Sequence, residues 1–414
     1  MSRLGTRWLA RRDTRAAAPL SRPFWLVWTA SAVSFLGDGL VAGALPLLAA
    51  SLTRDARVVS LTEAATQAGW LLLGLVSGVL VDRWSRITMM WRSDVVRALI
   101  AAAFAALVLT GHANVPLVVG VAFGLGLVAP FFDNASSSVV PQLVPKGSLE
   151  RANALNQTAI LLGANLIGPP VGAALFVVMP GLPLGLNAVS FAVAAGLVWW
   201  VRTSVPAPVP PQRRRVSSEL LEGLAFLWRN RLLRALCLLL GVMNGVSSGI
   251  VAVLVLYVLE LLRLPEAAYG WLIAAFAVGG LVGAALTPAV IALLGRRWAM
   301  IGSAVALGSS ILGLGAFPVP AAAAGFVVVA GLASVLWNIV TVSIRQRLVP
   351  AELLGRVTSI YRVVGFVATP FGAVAAGLLA HEAGLRAPYL VGGAITLVAN
   401  ALAVPSIRAA GTAS

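Results

Sequence analysis

Apolar stretches close to or longer than the ~20 residues needed to cross a bilayer recur along the whole chain, separated by short turns rich in Gly, Pro and Arg. They predict helical spans over residues 24–50, 60–81, 90–110, 115–138, 153–178 and 182–201, and again over 232–259, 268–294, 298–316, 319–343, 358–380 and 387–405. The first span follows Arg3, Arg7, Arg11, Arg12, Arg15 and Arg22, yet it is too long for a signal-peptide core and no A-x-A-like site closes it. It is expected to be a retained helix. The pattern breaks after Val201, where Pro206, Pro208, Pro210 and Pro211 and then Arg213, Arg214 and Arg215 predict an extended linker over 202–218. Residues 219–234 set Leu220, Leu221, Leu224 and Trp228 against Glu222, Arg229 and Arg231, as an interfacial amphipathic helix would. Near the start of the second span, Ser60 and Glu63 have the spacing of an S-x-x-E capping box.

Composition agrees with this pattern. With 59% hydrophobic and 11% charged residues, the 414-residue chain cannot present a wet surface on all sides, and its mean hydropathy is +0.94. The fold class is an all-α membrane protein of twelve transmembrane helices. The net charge of +16 would suit nucleic acid, but it is distributed otherwise. Of 30 basic residues, 25 fall at the termini and in alternate loops, while Arg54, Arg57, Arg263 and Arg386 lie in the opposite loops and Arg97 inside a span. Positive-inside sorting places both termini in the cytoplasm and implies no nucleic-acid partner. Only Lys146 among the 30 is lysine, a usage expected of a GC-rich bacterial genome, so the bilayer is expected to be a bacterial inner membrane. The single cysteine, Cys237, leaves no intrachain disulfide.

Sliding the chain on itself by about 205 residues brings polar landmarks into ordered register. Asp38-Gly39 meets Asn244-Gly245, Gly74 and Gly78 meet Gly279 and Gly283, and Leu143-Val144-Pro145 meets Leu348-Val349-Pro350. A duplicated six-helix unit follows, related by an axis along the membrane normal, with any binding site between the copies. The expected organisation is a tail over 1–23, a six-helix bundle over 24–201, the linker and amphipathic helix over 202–231, a second bundle over 232–405, and a tail over 406–414.

Asp38 sits near the middle of the first span, where an ionised carboxylate costs at least ~2.5 kcal/mol unless it is paired, hydrated or protonated. Facing a central cavity it would carry a coupling proton or touch substrate; bonded to a neighbouring helix it would be structural. Asn244, Asn134, Asn156, Gln157, Asn165, Asn338 and Tyr361 fit either cavity lining or interhelical hydrogen bonds. The cytoplasmic thirds of the third and fourth spans carry Asp94, Arg97 and Asp133, with Arg97 and Asp133 at similar depth and Asp94 and Arg97 on one face at i,i+3. With Asp82, Arg83 and Arg86 they form either a charge network remade between states or a permanent ion cluster. There is no G-x-x-x-x-G-K-[ST] for ATP, and His112 and His381 are isolated, so neither a metal cluster nor a hydrolytic triad can be assembled. The expectation is a chain without cofactor, metal or enzymatic chemistry.

The turn after the second span, Gly78-Val-Leu-Val-Asp82-Arg83-Trp-Ser-Arg86, resembles the G-x-x-x-D-R-x-G-R signature of the major facilitator superfamily, with Ser85 at the second glycine. The resemblance runs from Phe24 to Ile407. It implies that Asp82 caps a neighbouring helix while the arginines latch the cytoplasmic side, which suits an anion beside a helix N-terminus. Segments from Asp133 to Pro145 and from Arg345 to Pro350 resemble the branch of enterobactin-type siderophore exporters and macrolide efflux proteins. Gly168-Pro169-Pro170-Val-Gly172 is similar to the fifth-helix G-P-x-x-G-G signature of drug-proton antiporters, with Ala173 at the last glycine; tight packing of this helix explains the same residues.

The resemblance and the residues together predict a secondary transporter exporting a small amphipathic molecule such as a drug, macrolide or siderophore, coupled to protons, working by alternating access as a monomer. An importer or facilitator on the same fold is the nearest alternative, since fold does not set direction, and a non-transporting scaffold or lipid-handling protein is a second.

Overall fold

The computed structural model describes residues 20–201 and 216–410, so most of the expected linker and the arginines before Leu20 lie outside the described residues. All regular elements among the described residues are helical. They are α1 (Arg22–Leu52), α2 (Ala56–Arg83), α3 (Arg86–Leu109), α4 (Val115–Leu143), a 3-10 turn (Lys146–Ser148), α5 (Leu149–Ile160), a π-helical turn (Leu161–Ile167), α6 (Gly168–Val178) and α7 (Leu182–Val201). After the break come α8 (Val216–Arg229), α9 (Arg231–Leu256), a second π turn (Tyr257–Leu261), α10 (Ala267–Ala316), α11 (Pro320–Leu348), α12 (Ala351–Ala383) and α13 (Ala387–Ala410). Nine helical stretches among the described residues are long and apolar enough to cross a membrane. One of them, α10, leaves helical geometry at Gly295 (φ 75°, ψ 158°), so it is two helices joined at a kink, which fall where spans are expected over 268–294 and 298–316.

Short polar side chains set the helix starts, because the first N–H groups of a helix have no partner within it. Ser21 accepts from the Phe24 N–H, Asn114 from Leu117, and Asn230 from both Leu232 and Leu233. This last cap ends the amphipathic helix at Arg229, so Arg231 and Arg234 belong to α9. The expected Ser60-Glu63 capping box is not formed. Helix α2 starts at Ala56 behind Asp55, whose carboxylate accepts the Arg57 N–H at 2.9 Å, and Ser60 is already inside the helix, donating to the Arg57 carbonyl. Asp55 reaches the free N–H groups first, which leaves Glu63 for another task.

Connections of a few residues make sequential helices run back and forth between two ends of the molecule. One end carries Arg22, Arg86, Arg345 and Arg347 and is called the basic end here. Helices α1–α7 pack mainly on one another, as α1 on α6 and α7, α2 on α4, and α3 on α4 and α7. Helices α9–α13 do the same, as α10 on α11 and α13, and α9 on α12 and α13. The two sets meet along α2 with α9 and α12, and along α6 with α10.

The buried apolar residues show where these sets adhere. At the end opposite the basic one, a single cluster joins Leu45, Leu48, Val59 and Phe176 with Val255, Tyr257, Tyr269 and Tyr389. At the basic end there are two separate clusters. Phe24, Met90, Phe132 and Val198 belong to one, confined to the first set, and Leu233, Met300, Trp337 and Tyr361 to the other, confined to the second. The apolar core is thus shared by the two sets at one end and separate in each set at the other.

Candidate functional site

Between the two sets lies a cavity of about 540 Å³, within the ~300–1,000 Å³ range of sites for small molecules. Its walls differ in chemistry. The α1–α7 side contributes Asp38, Thr62, Glu63, Gln67, Arg97, Asn165 and Asn187, whereas the α9–α11 side contributes Ile250, Leu272, Ile273, Phe276, Leu307 and Val327, with Ser247 and Tyr269 as its hydroxyls.

Asp38 is placed by close backbone contact. A Cβ on Gly39 would collide with the Gly163 carbonyl, so the glycine lets α1 lie directly against the π turn. That turn has its own cause. Pro169 and Pro170 have no N–H for the Asn165 and Leu166 carbonyls one turn back, and just before them the Gly168 N–H reaches five residues back to the Gly163 carbonyl, closing the wider loop. Asn165, inside the turn, reaches the cavity and donates to the Ile160 carbonyl at 3.3 Å.

Arg97 of α3 is the centre of the polar wall. Its side chain is 1% exposed; one terminal nitrogen lies 3.3 Å from an Asp38 oxygen, and the other 2.5 Å from Asp94 and 3.0 Å from the Ser34 hydroxyl. Phe132 and Phe191 face the guanidinium with ring centres 4.6 and 4.2 Å away, holding its plane by stacking. Asp94 is fully buried, while the Asp38 side chain is 37% exposed into the cavity. One partner of Arg97 is therefore fixed and the other is accessible. Removing the cation from such a cluster costs about 3–5 kcal/mol, because it leaves buried carboxylates uncompensated. Asp133 of α4 faces the Trp70 indole and lies within the field of Arg97.

The remaining expected residues are distributed more widely. Asn134 donates to Ser77 Oγ at 2.7 Å and accepts from Arg362 of α12 at 3.4 Å. Asn244 donates to the Gly365 carbonyl at 3.1 Å, and Tyr361 is buried with its hydroxyl on the Leu233 carbonyl. Asn156 is half-buried on α5; Gln157 and Asn338 are exposed. Gly168 packs on Gly39 of α1, Gly172 packs on Leu40, and Pro169 between them presents its carbonyl to Gly43 and, across the seam, to Gly270 of α10. Arg86 opens α3 about three turns from Arg97, and no ion pair among the described residues joins it to the cluster. The side chains of Asp82 and Arg83, and the surroundings of Gly78, lie outside those described.

Sequence reasoning found no partner for Asp38 near it in the chain, since Arg97 comes from another helix. It also passed over Ser34, Asn187, Trp70 and Glu63. The signal for Glu63 was available: Glu63, Gln67 and Trp70 recur at i, i+4 and i+7, one face of α2, and all three reach the cavity. Glu63 accepts a hydrogen bond from Gln67 at 2.8 Å, and Trp70 stacks on Phe366 of α12 with ring centres 4.2 Å apart.

Comparison with known proteins fits this geometry. The family profile of MFS_3, described as "Transmembrane secretion effector", matches residues 14–413. The multidrug efflux pump Tap of Mycolicibacterium fortuitum is 27% identical over 89% of this chain and 91% of its own length. Macrolide efflux protein A of Streptococcus pyogenes is 25% identical, covering 93% and 96%, and the enterobactin exporter EntS of Shigella boydii is 28% identical, covering 86% and 84%. Among solved structures, a bacterial homologue of the iron transporter ferroportin in the inward-facing state superposes with a TM-score of 0.74 at 19% identity, covering 93% of this chain and 98% of that one. The outward-facing state of a bacterial ferroportin homologue gives 0.60 at 20% identity, covering 93% and 99%.

Proposed function

Since the chain belongs to the major facilitator superfamily, among its transmembrane secretion effectors, we propose that it exports a small amphipathic molecule from the cytoplasm in exchange for protons. Twelve membrane crossings in two six-helix bundles account for the way α1–α7 and α9–α13 pack, with α10 supplying two crossings on either side of Gly295. Positive-inside sorting then makes the basic end cytoplasmic, in a bacterial inner membrane, with both termini on that side. The shared apolar cluster lies outside and the separate clusters lie inside, an inward-facing arrangement. The better superposition on the inward-facing ferroportin homologue supports that reading.

The observation that carries the coupling is the accessible Asp38 bound to the buried Arg97. A proton arriving at Asp38 cancels its attraction for the guanidinium, which then belongs wholly to Asp94 and to the field of Asp133. Loss of the proton draws Arg97 back. Either state changes the charge that α1 shows the cavity, and the two bundles rock about their seams in response. The small contacts at those seams, such as Gly270 on Pro169, suit surfaces that must part and close again.

The test is dye, drug and siderophore accumulation in cells expressing wild type or Asp38→Asn, with and without a protonophore. Wild type lowers accumulation of at least one compound, and both the protonophore and the substitution erase the effect while the protein remains folded in the membrane. Undiminished export by Asp38→Asn refutes the coupling role.

A further inference from the structure

The acid that the coupling scheme does not use is Glu63. It lines the cavity from α2, half-buried, and its bonded partner among the described residues is the neutral amide of Gln67. No cation pairs with it among the described residues, whereas Asp38 and Asp94 share Arg97. On and beside the polar wall, the four carboxyl groups of Asp38, Glu63, Asp94 and Asp133 thus share the one guanidinium of Arg97, so a cationic guest brings Glu63 the partner that the wall itself does not supply.

What surrounds Glu63 is also selective. Two turns along the same face is Trp70, an aromatic ring reaching the cavity and held in place by Phe366. A carboxylate and an indole on one face are the complement of an ammonium or phosphonium group, bound by charge on one side and by the ring quadrupole on the other. From α10, Leu272, Ile273 and Phe276 add apolar surface to the same cavity, with Tyr269 as the hydroxyl beside them, which suits the hydrocarbon part of the same guest.

We infer that the α2 face of Glu63, Gln67 and Trp70 is a binding site for the positively charged group of a lipophilic monocation, with the α10 wall taking its apolar body. The inference deepens the export reading, because it names the class of cargo, and it separates two tasks: Asp38 answers to Arg97 and Glu63 answers to the guest.

The experiment titrates purified full-length protein in lipid nanodiscs, without any gradient, with tetraphenylphosphonium and with tetraphenylborate, ions of the same shape and opposite charge. Wild type binds the phosphonium at least 10-fold more tightly than the borate. Glu63→Gln weakens phosphonium binding at least 10-fold and leaves the borate unweakened, while Glu63→Asp keeps the order of the two ions. Absence of phosphonium binding by wild type, equal or reversed affinities, or an unchanged phosphonium affinity in Glu63→Gln overturns the inference. The wild-type comparison requires no variant, so it decides even if Glu63→Gln fails to accumulate. Because nothing is transported in this assay, its failure leaves export through Asp38 standing, and failure of export leaves a measured preference for the phosphonium standing.

Discussion

Asp38 and Asn244 fall in the same register of the two halves, 206 residues apart and each followed by glycine, yet they are tied in opposite ways. Asp38 meets the charged side chain of Arg97 and stays open to the cavity; Asn244 donates to the Gly365 backbone carbonyl and serves the packing of α9 on α12. The cavity, which Asp38 lines and Asn244 does not, repeats the contrast between the two sets of helices, one carrying carboxylates, amides and a guanidinium, the other mostly aliphatic and aromatic groups. Positions that match in the sequence therefore do not carry the same chemistry in the two sets of helices. Backbone packing is retained where glycines allow it, while the ionisable groups gather on one side, where a single arginine offsets several of them.

The contrast breaks most severely at Arg97. Arg97→Met should lower stability by about 3–5 kcal/mol, seen as loss of folded protein in detergent, and adding Asp94→Asn should recover part of it by removing the buried acid left behind. Next in size is an attempt to make the second half resemble the first. Asn244→Asp replaces a donor with a carboxylate facing a carbonyl, so it should cost about 2.5 kcal/mol in thermal unfolding and confer no new proton dependence on transport. A gain of coupling from Asn244→Asp would show that register alone sets function. Gly270→Leu acts on the seam between the halves, where α10 rests on the Pro169 carbonyl of α6. It should reduce cross-linking between cysteines placed on α6 and α10 and slow export several-fold without changing the ion cluster.

The smallest effect is expected at the end opposite the basic one, where His381 of α12 approaches Asp55 at 3.4 Å. The Arg57 guanidinium hydrogen-bonded to Asp55 holds its carboxyl down at about 2, below the usual 3.8. A depressed carboxyl contributes its stability above pH 3.8 and loses it as pH falls through 2, so the difference between wild type and Asp55→Asn should be constant from pH 8 to 5 and shrink below pH 4. Asparagine is itself a good N-cap, which isolates the charge in that comparison. His381→Ala should leave melting curves at pH 7 unchanged, as an exposed imidazole pair contributes little.

Much of the fold was legible because a bilayer demands length. Spans such as 182–201 match their helices to the residue, and others differ by a few positions where a cap lies earlier in the chain, as at Asp55. The site was less legible because its contacts are tertiary. Asp94 and Arg97 share a helix face and could be paired from spacing, but the third member, Asp38, reaches them from α1. Glu63 was obscured by a local rule, since Ser60 three residues before it matches a cap that Asp55 had already provided. The consecutive Pro169 and Pro170 were legible as a packing motif, but not as the cause of a π turn just before them that brings Asn165 to the cavity.

The most direct test of the division between coupling and packing is transport in proteoliposomes containing wild type or Asp38→Asn, comparing uptake driven by an imposed pH gradient with exchange of labelled for unlabelled substrate at equal pH. The account predicts that Asp38→Asn loses gradient-driven uptake at least 10-fold and retains exchange, because the bundles still rock when the proton site is permanently neutral. Gradient-driven uptake equal to wild type would contradict it.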